Sequence, residues 1–408
     1  MCGRGGAGLH GWKIYVSCTI LNMKTILEAT VPTLLRSDVQ FKYVKDINTL
    51  RGLNAGGFGY SQIGKCLVVY MPQPDDALIN SLMASLEPFR NQCPVVPYAI
   101  PFGGGLPLYY RYGAFVDEWI EINGESRADD RWNRSNAVPE GVKDELRRFV
   151  AKDDPDTTVG SFLLTYPGIE ALVQQGKTGI FRSLNLNSEE YQEVVLKFGY
   201  PNGQVQPDGS DGCTFLRREL AFYQELLWRG LAHVAPKLVD SYDDGNHAVI
   251  VMESIDGPSI LSLRMDGQLS VDHLEKCWDI IQSLHQNELY LGDAKIANFL
   301  LDQEGNVKVI DFETSGVIGQ TDAVPIRTFN LHNPLVKDQK FSDLISFLVS
   351  VLFPYESGNY GSNERKIDLQ EYRLLPPVND AMGWAQERLS ELLVVLEVEA
   401  EDTLGGPG

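Results

Sequence analysis

Two aspartates and an asparagine around a short apolar hairpin constrain the fold of this chain more than any other feature. Asp293 and Asn298 lie on a loop that leads into an apolar stretch over 299–301 and then a polar turn. A second apolar stretch, over 307–310, ends at Asp311. The predicted hairpin returns Asp311 to the side of Asn298. Asp293 is then free to orient a hydroxyl nucleophile, while Asn298 and Asp311 hold Mg²⁺.

Residues upstream of the hairpin supply the other charges that phosphoryl transfer from ATP requires. Lys197 ends a β-rich run, 194–197, from which it can reach the nucleotide phosphates. Glu219, in a predicted helix over 216–228, can hold that lysine by an ion pair. Each residue alone is more often a surface charge, but this order ahead of the hairpin is that of protein-kinase-like phosphotransferases.

Three further residues, Lys295, Asp343 and His285, are interpreted together with the loop that precedes the hairpin. Lys295, between Asp293 and Asn298, is a further candidate catalytic residue. Asp343, in a predicted helix over 341–353, is expected to accept hydrogen bonds from the catalytic-loop backbone, although Ser-Asp also suits a helix start. His285 ends a predicted helix over 271–286, and we interpret it as structural.

Gly176 and Gly179 are the candidate glycines of a nucleotide-covering loop. They flank Lys-Thr in a segment between two predicted strands. The Gly-x-x-Gly pattern is common, so a plain hairpin turn explains it as well as a cover over ATP.

The N-terminal third alternates between strand and helix patterns. The predicted strands cover 12–18, 40–44, 65–70 and 108–115, and the predicted helices cover 23–35 and 75–87. A polar stretch over 123–136 and the following residues to 154 are interpreted as a connection. We therefore predict a first domain over 1–122, a linker over 123–158, a second domain over 159–400 and a flexible tail over 401–408.

Short motifs in a characteristic order suggest a family. They lie at 12–17, 39–44, 53–54, 64–72, 110–115 and 310–313. With them, the chain from about residue 11 to 355 resembles the lyase and kinase portion of class III and class IV lanthipeptide synthetases. The Asp-Phe-Glu ending, in place of Asp-Phe-Gly, is typical of that kinase group. The resemblance implies an α+β protein, in which a mixed α/β phosphothreonine-lyase-like domain precedes a bilobal protein-kinase-like domain.

The resemblance also implies a two-step dehydration. The kinase domain phosphorylates Ser or Thr of a precursor peptide that carries a leader, and the lyase domain eliminates phosphate to give dehydroalanine or dehydrobutyrine. Carried over by motif, Lys13 is the base, and Lys42, Lys65 and Arg111 clamp the phosphate. The acid position falls on Tyr15.

The motif around Lys13 departs from the family pattern, because Lys-x-His is replaced by Lys-Ile-Tyr. A tyrosine with an ordinary pKa of about 10 matches neutral pH less well than a histidine at about 6.5. Strand alternation still puts Lys13 and Tyr15 on one face. Three alternatives stay open: an active lyase, a lyase-like module that only binds the leader or a phosphopeptide, and a small-molecule phosphotransferase of the aminoglycoside or choline kinase type.

The length of the chain sets expectations about partners. The family's cyclase domain has no room after residue 355. We therefore expect a fragment, a split system or an enzyme that stops at dehydration, with a separate cyclase protein as a candidate partner beside the precursor peptide.

Composition and charge limit the partners and the cellular location that we expect. The net charge of −20 disfavours nonspecific binding to nucleic acid or anionic membranes. No apolar run reaches the roughly 20 residues of a spanning helix, and no signal-peptide core is present, so we expect a cytoplasmic protein. Six scattered cysteines without a Cys-x-x-Cys pair give no zinc or disulfide pattern.

Overall fold

The computed structural model describes residues 10–115, 119–129, 138–151, 157–320, 338–353 and 378–404. The chain divides into two compact units. The first comprises Met1–Asn187, Lys197–Thr214 and Tyr242–Val249. The second comprises Ser188–Leu196, Phe215–Ser241 and Ile250–Gly408.

The first unit begins with a five-stranded sheet and three helices. The strands are β1 (His10–Val16), β2 (Gln40–Tyr43), β3 (Leu67–Met71), β4 (Ile100–Pro101) and β5 (Leu108–Ala114). The helices are α1 (Met23–Arg36), α2 (Ile47–Ala55) and α3 (Asp76–Leu86). The sheet order is β2-β3-β1-β5-β4, and every neighbouring pair is antiparallel.

One face of this sheet is covered by the helices. Trp12, Ile14 and Val16 alternate along β1 and join a core with helix residues such as Ile26 and Leu82. Side chains at alternate strand positions share a face, so this burial directs Lys13 and Tyr15 to the opposite side. The residues that are buried against the helices therefore fix which residues lie on the opposite face of the sheet.

Local signals begin and end the helices around this sheet. The Asp46 carboxylate accepts a hydrogen bond from the Thr49 backbone N–H and so begins α2. Gly56, with φ of 91°, ends it in the left-handed conformation that glycine adopts without steric cost. The Asp75 carboxylate begins α3 in the same way, at the Leu78 N–H.

A short hairpin follows the first sheet. Strands β6 (Trp119–Ile122) and β7 (Glu125–Ala128) pair through an Asn123-Gly124 turn in which both residues have positive φ. Such a turn is the type preferred in two-residue hairpins. The hairpin crosses the predicted boundary at residue 122. Residues 130–137 and 152–156 of the predicted linker lie outside the described part of the chain.

A second five-stranded sheet has the order β11-β12-β10-β9-β8. Its strands are β8 (Gly168–Gln174), β9 (Thr178–Leu184), β10 (Glu193–Gly199), β11 (Leu238–Asp243) and β12 (Ala248–Glu253). The helix α4 (Thr157–Thr165) precedes β8, and α5 (Gly212–Trp228) follows β10. The segment with Gly176 is therefore a turn between two strands, β8 and β9, as predicted.

The second unit contains a helical core with short strands. The further helices are α6 (Ile260–Met265), α7 (Val271–Gln286), α8 (Gln339–Leu352) and α9 (Asp380–Leu404). The strands are β13 (Leu289–Tyr290), β14 (Phe299–Leu301), β15 (Val307–Val309) and β16 (Gly316–Val317). Within this unit α7, α8 and α9 contribute buried apolar residues to one core. The predicted tail at 401–408 overlaps the end of α9, and residues 405–408 lie outside the described range.

The buried face of helix α7 could be predicted from the spacing of its apolar residues. Leu274, Cys277, Ile281 and Leu284 are buried at spacings of three and four, the period of one helical face. Ser270 forms a capping box with His273 at its start. The predicted limits of 271 and 286 agree with the structure.

Helices and antiparallel sheets are mixed in the chain, which confirms the predicted α+β class. Among the residues described, no helix combines the length and apolar character that a bilayer crossing requires. The five cysteines in the described ranges are free thiols.

Candidate active sites

The face of the first sheet opposite the helices carries four cations. In one row across the strands, Lys13 on β1 lies opposite Arg111 on β5 and opposite Tyr70 on β3. Gln40 continues this row on β2. Cross-strand partners lie about 5 Å apart on the same face. Two of the residues predicted for elimination are therefore direct neighbours.

The next row carries the predicted acid. Tyr15 lies opposite Tyr109 on β5 and opposite Val68 on β3, which in turn faces Lys42 on β2. Tyr15 is buried in a small cluster with these neighbours. Its phenol is thereby held beside the cationic row.

Lys65 completes the face from a loop. It was predicted inside a strand, but β3 begins at Leu67, so Lys65 precedes the ladder. Its Nζ lies 4.7 Å from the centre of the Tyr15 ring, within the range of a cation–π contact. The loop position lets this lysine reach across the top of the predicted acid.

The ammonium of Lys65 is electrostatically unfavourable where it lies. Burial, followed by the charges of Arg111, Lys13 and Lys42, lowers the pKa of Lys65 to about 7. The other three predicted cations thus lie close enough to disfavour the charged form of Lys65. Close to neutral pH, Lys65 is therefore able to exchange a proton.

Asp129 neutralises part of this face. Its buried carboxylate lies 4.0 Å from Lys13 Nζ and 3.4 Å from an Arg111 nitrogen. It also accepts a hydrogen bond of 2.9 Å from the Ala114 backbone N–H. Gly113 leaves room for it, since a Cβ there would lie 2.8 Å from the Asp129 carboxylate. Asp129 thus forms ion pairs with both Lys13 and Arg111.

In the second unit, the catalytic loop brings the predicted residues together around Asp293. Its carboxylate accepts a hydrogen bond of 2.6 Å from Lys295 Nζ and one of 3.3 Å from the Asn298 amide. The Asn298 amide also donates to the Asp293 backbone carbonyl at 2.9 Å. One turn of 3-10 helix, Ile296–Asn298, produces this geometry. Asp293 is therefore restrained by two side chains.

Asp311 follows the hairpin as predicted. Phe299 on β14 pairs with Val309 on β15, and the Ile310 N–H donates to the Asn298 carbonyl at 2.9 Å. Asp311 thus lies two residues after the last pair of the ladder. Its φ of 69° is rare outside glycine, and such conformations cluster at functional sites.

The loop is anchored to α8 by Asp343. This fully buried carboxylate accepts hydrogen bonds of 2.7 Å from the N–H groups of both Leu291 and Gly292. His285 Nε2 lies 3.1 Å from the same carboxylate. The predicted contact with the catalytic-loop backbone is present. The helix start is instead capped by Asp338.

The hairpin residues fit a magnesium ion by donor chemistry. Because the Asn298 amide nitrogen donates to Asp293, its oxygen is directed away from that residue. Together with the Asp311 carboxylate this gives hard oxygen donors, which Mg²⁺ prefers and which substrate phosphates ordinarily complete. No group of three His, Cys, Asp or Glu side chains suited to a metal occurs within the described ranges.

Lys197 and Glu219 are both buried, at 5% and 1% exposure. A surface role for either is thereby excluded, because an ionised side chain is held inside a protein only at a considerable cost in solvation. The role of each toward a nucleotide stays a prediction.

The glycine turn has a packing explanation. A Cβ at Gly176 would lie 1.6 Å from the Asn54 carbonyl oxygen, at the end of α2. The Gly176 N–H donates to the Ala55 carbonyl at 3.3 Å. At Gly179 a Cβ would meet the Tyr200 hydroxyl at 2.3 Å. Close packing thus requires both glycines, whether or not the turn also covers a nucleotide.

Asp129 was missed because it lies inside the predicted linker. A signal was available, since Asn-Gly between two alternating stretches is a strong hairpin pattern. That hairpin ends one residue before Asp129. Its partners Lys13 and Arg111 are far away in sequence, and no local pattern marks the contact.

Comparisons with known proteins agree with the motifs. Residues 7–145 match the family model described as RamC, N-terminal domain. The probable SapB synthase of Streptomyces coelicolor is 24% identical over 336 residues, which are 75% of this chain and 35% of that protein.

A second similarity covers part of the chain. The mouse serine/threonine-protein kinase PAK 1 is 27% identical over 181 residues, which are 42% of this chain and 29% of that protein. The chain therefore spans about a third of the length of these curated relatives. Taken together, the matches confirm that this chain resembles the lyase and kinase portion of lanthipeptide synthetases, with a RamC-type N-terminal domain.

Proposed function

We propose that this chain dehydrates Ser and Thr residues of a precursor peptide in two steps, by phosphorylation and then elimination of phosphate. The observation that carries the proposal is the cationic face of the first sheet, where Lys13, Lys42, Lys65 and Arg111 lie on the same side as Tyr15. A dianionic phosphate on a peptide matches such a face in charge. The resemblance to a Ser/Thr kinase supports the step that makes this phosphate.

In the first step Asp293 orients the Ser or Thr hydroxyl and accepts its proton as the hydroxyl oxygen bonds to the γ-phosphorus of ATP. The bond between that phosphorus and the bridging oxygen to the β-phosphate breaks, and ADP leaves. Lys295, 2.6 Å from the Asp293 carboxylate, compensates charge beside the acceptor. Asn298 and Asp311 hold Mg²⁺, and Lys197 and Glu219 serve the nucleotide. ATP with Mg²⁺ supplies the phosphoryl group and neutralises its charge. A bilobal kinase-like fold is part of this proposal.

In the second step a base removes the α-proton, the Cβ–O bond breaks, and phosphate leaves with a proton from Tyr15. Its products are a Cα–Cβ double bond and inorganic phosphate. The motif assigns the base to Lys13. A second assignment, to Lys65, is favoured by the different surroundings of the two lysines. Lys13 Nζ lies 4.0 Å from the Asp129 carboxylate, whereas burial and neighbouring cations lower the pKa of Lys65 to about 7.

Mass spectrometry of a Ser/Thr-containing precursor peptide incubated with the protein, ATP and Mg²⁺ tests both steps. We expect a net loss of one water per modified residue. A phosphate adduct that persists would retain the kinase and reject the lyase. No mass change with the cognate peptide would reject both steps.

The variant Tyr15→His separates an active lyase from a module that only binds leader or phosphopeptide. Faster phosphate release in this variant would indicate an otherwise intact lyase site. A small-molecule phosphotransferase is the weaker alternative, since it gives the cationic sheet face no role. The separate cyclase partner and the cytoplasmic location stay predictions.

A further inference from the structure

A cavity of about 540 Å³ in the first unit has no role in the proposed chemistry. It is lined by the segment 95–99, by Pro101 and Leu106, and by Tyr109 on β5, with Tyr60 opposite Tyr98. None of its twelve lining residues, all within the described ranges, carries a charge. A lining without charge that includes Val95, Val96 and Leu106 suits an uncharged group with apolar surface.

The cavity lies next to Tyr15 and shares a lining residue with the neighbours of Tyr15. Tyr109 lines it and is also the cross-strand neighbour of Tyr15. Pro101 is in turn the cross-strand neighbour of Tyr109. The row Tyr15, Tyr109, Pro101 therefore runs from the predicted acid to the far wall of the cavity. Val96 and Ala99, also in the wall, pack in the same cluster as Tyr15.

The spacing of the strands gives the distance between the two sites. Neighbouring strands are about 4.8 Å apart, so Tyr109 is about 5 Å and Pro101 about 10 Å from Tyr15 along the row. In an extended peptide, side chains on the same side recur every two residues, at about 7 Å. If the peptide runs across the strands along this row with its phosphorylated residue above Tyr15, its second neighbour lies above Tyr109 and Pro101, which line the cavity.

Tyr98, in the cavity wall, has an uncommon backbone conformation. This residue has φ of 56°, a conformation that costs energy outside glycine and is retained where the surroundings enforce it. Its ring contacts that of Tyr60 edge-on, with the centroids 5.8 Å apart. The aromatic pair forms a fixed wall.

We propose that this cavity binds an apolar side chain, such as Leu or Phe, that lies two residues from the phosphorylated Ser or Thr of the substrate peptide. The proposal rests on the proposed lyase function. It adds a specificity site for the sequence around the modified residue.

The test uses phosphoserine peptides of otherwise alanine sequence, in which one leucine is moved through the three positions on either side. Binding to the full chain is read by initial fluorescence anisotropy. We expect leucine two residues before or after the phosphoserine to lower Kd about tenfold, which corresponds to about 1.4 kcal/mol. The Val95→Asp variant should lose that gain, because it puts a charge into the lining.

Val95 is a suitable site because it lines the cavity and is 66% exposed, so the variant is expected to fold. The matched control is Leu35→Asp on α1, which is 62% exposed and belongs to a helix on the other side of the sheet. Leu35→Asp should keep the gain from leucine. Thermal melts of both variants check the fold.

Two failures are distinguishable. Phosphate-dependent binding with no effect of leucine position, or an undiminished gain in Val95→Asp, would overturn the cavity site and leave the proposed function standing. If phosphorylated and unphosphorylated peptides bound equally to the unaltered protein, the lyase half of the proposed function would be overturned, and the cavity site with it.

Discussion

Two lysines of the cationic face, Lys13 and Lys65, have different electrostatic surroundings. Lys13 and Lys65 both reach the space around Tyr15, but Asp129 lies beside Lys13 while Lys65 is half-buried among cations. A general base must be neutral in its resting form, and an efficient one has a pKa near the working pH. The surroundings therefore distinguish a base from a phosphate-binding ammonium.

We expect kcat/KM for elimination from a phosphopeptide to rise with pH through about 7, as Lys65 loses its proton. The folded-state pKa is depressed, so the charged form is disfavoured, and the free energy of unfolding should also rise from about pH 7 toward the ordinary lysine pKa. Lys65→Ala should lower kcat by about 10²–10⁴-fold.

Lys13→Ala and Lys42→Ala are the controls for this profile. Both should raise KM, because they remove phosphate contacts, and both should keep the rise with pH. A Lys13→Ala enzyme without turnover, beside a Lys65→Ala enzyme with ordinary kcat, would return the base to Lys13.

Asp129 gives a second prediction at this scale. Asp129→Ala leaves two partly buried cations and the Ala114 N–H without their acceptor, and removal of one member of a buried ion pair costs about 3–5 kcal/mol. Asp129→Asn retains an acceptor oxygen and should destabilise less. Denaturant unfolding measures both, and equal stability of Asp129→Ala and the unaltered protein would contradict the role.

Secondary-structure elements are joined to the sites by few contacts. Asp343 links α8 to the catalytic loop through two backbone N–H groups, and Gly176 links the β8–β9 turn to the end of α2. The first contact depends on a single carboxylate, and the second depends on the absence of a Cβ at Gly176. Single substitutions can therefore displace an element.

At Asp343, the alanine variant should lower the free energy of unfolding by several kcal/mol, because each buried donor left unsatisfied costs about 1–3 kcal/mol. Phosphorylation should fall with it as Asp293 loses its position. Asp343→Asn, which keeps one acceptor oxygen, should retain more of both. Phosphopeptide yield by mass spectrometry and chemical unfolding are the measurements. An alanine variant with full kinase activity would refute the anchoring role.

At the glycine turn, Gly176→Ala forces a Cβ to 1.6 Å from the Asn54 carbonyl, so one of the two backbones must move. We expect a clear loss of thermal stability. The control is Gly160→Ala on α4. A Cβ added at Gly160 would have no atom within 4 Å beyond its chain neighbours and the backbone of its own helix. Alanine also favours the helix by up to about 1 kcal/mol relative to glycine. Similar melting temperatures for the two variants would show that the turn is not tightly packed.

For the whole molecule, the side chains that act on the peptide in the two proposed chemistries belong to different units, although Lys197, which serves the nucleotide, lies in the first unit. Asp293, Lys295 and Asn298 belong to the second unit, whereas Lys13, Tyr15 and Lys65 belong to the first. Their chemical requirements also differ, since one step consumes ATP and the other releases phosphate.

The two activities should therefore be separable by mutation. Asp293→Asn should abolish phosphorylation and leave elimination from a chemically phosphorylated peptide within about twofold, since it removes only the group that serves the first barrier. Lys65→Ala should accumulate phosphopeptide, and a mixture of both variants should dehydrate the peptide. Loss of elimination in Asp293→Asn would argue against independent sites.

Much of the fold followed from local patterns, and the errors have identifiable causes. The α7 limits and the Asp293–Asp311 hairpin were predicted because helix periodicity and short ladders depend on neighbours in sequence. Helix α2 was missed because it is only nine residues long and has Gly52 in its interior. The β6–β7 hairpin was missed because the Asn-Gly signal was read as part of a polar linker.

By itself, the sequence determined which candidate groups the chain carries and their order, because motif spacing along one loop or strand is a local property. Only the tertiary structure decided how those groups behave. The pKa of Lys65, the pairing of Asp129 with Lys13, and the cavity beside Tyr15 each arise where residues distant in the chain come together and exclude water. Burial and charge at such places depend on all the neighbours at once, and no stretch of sequence contains them.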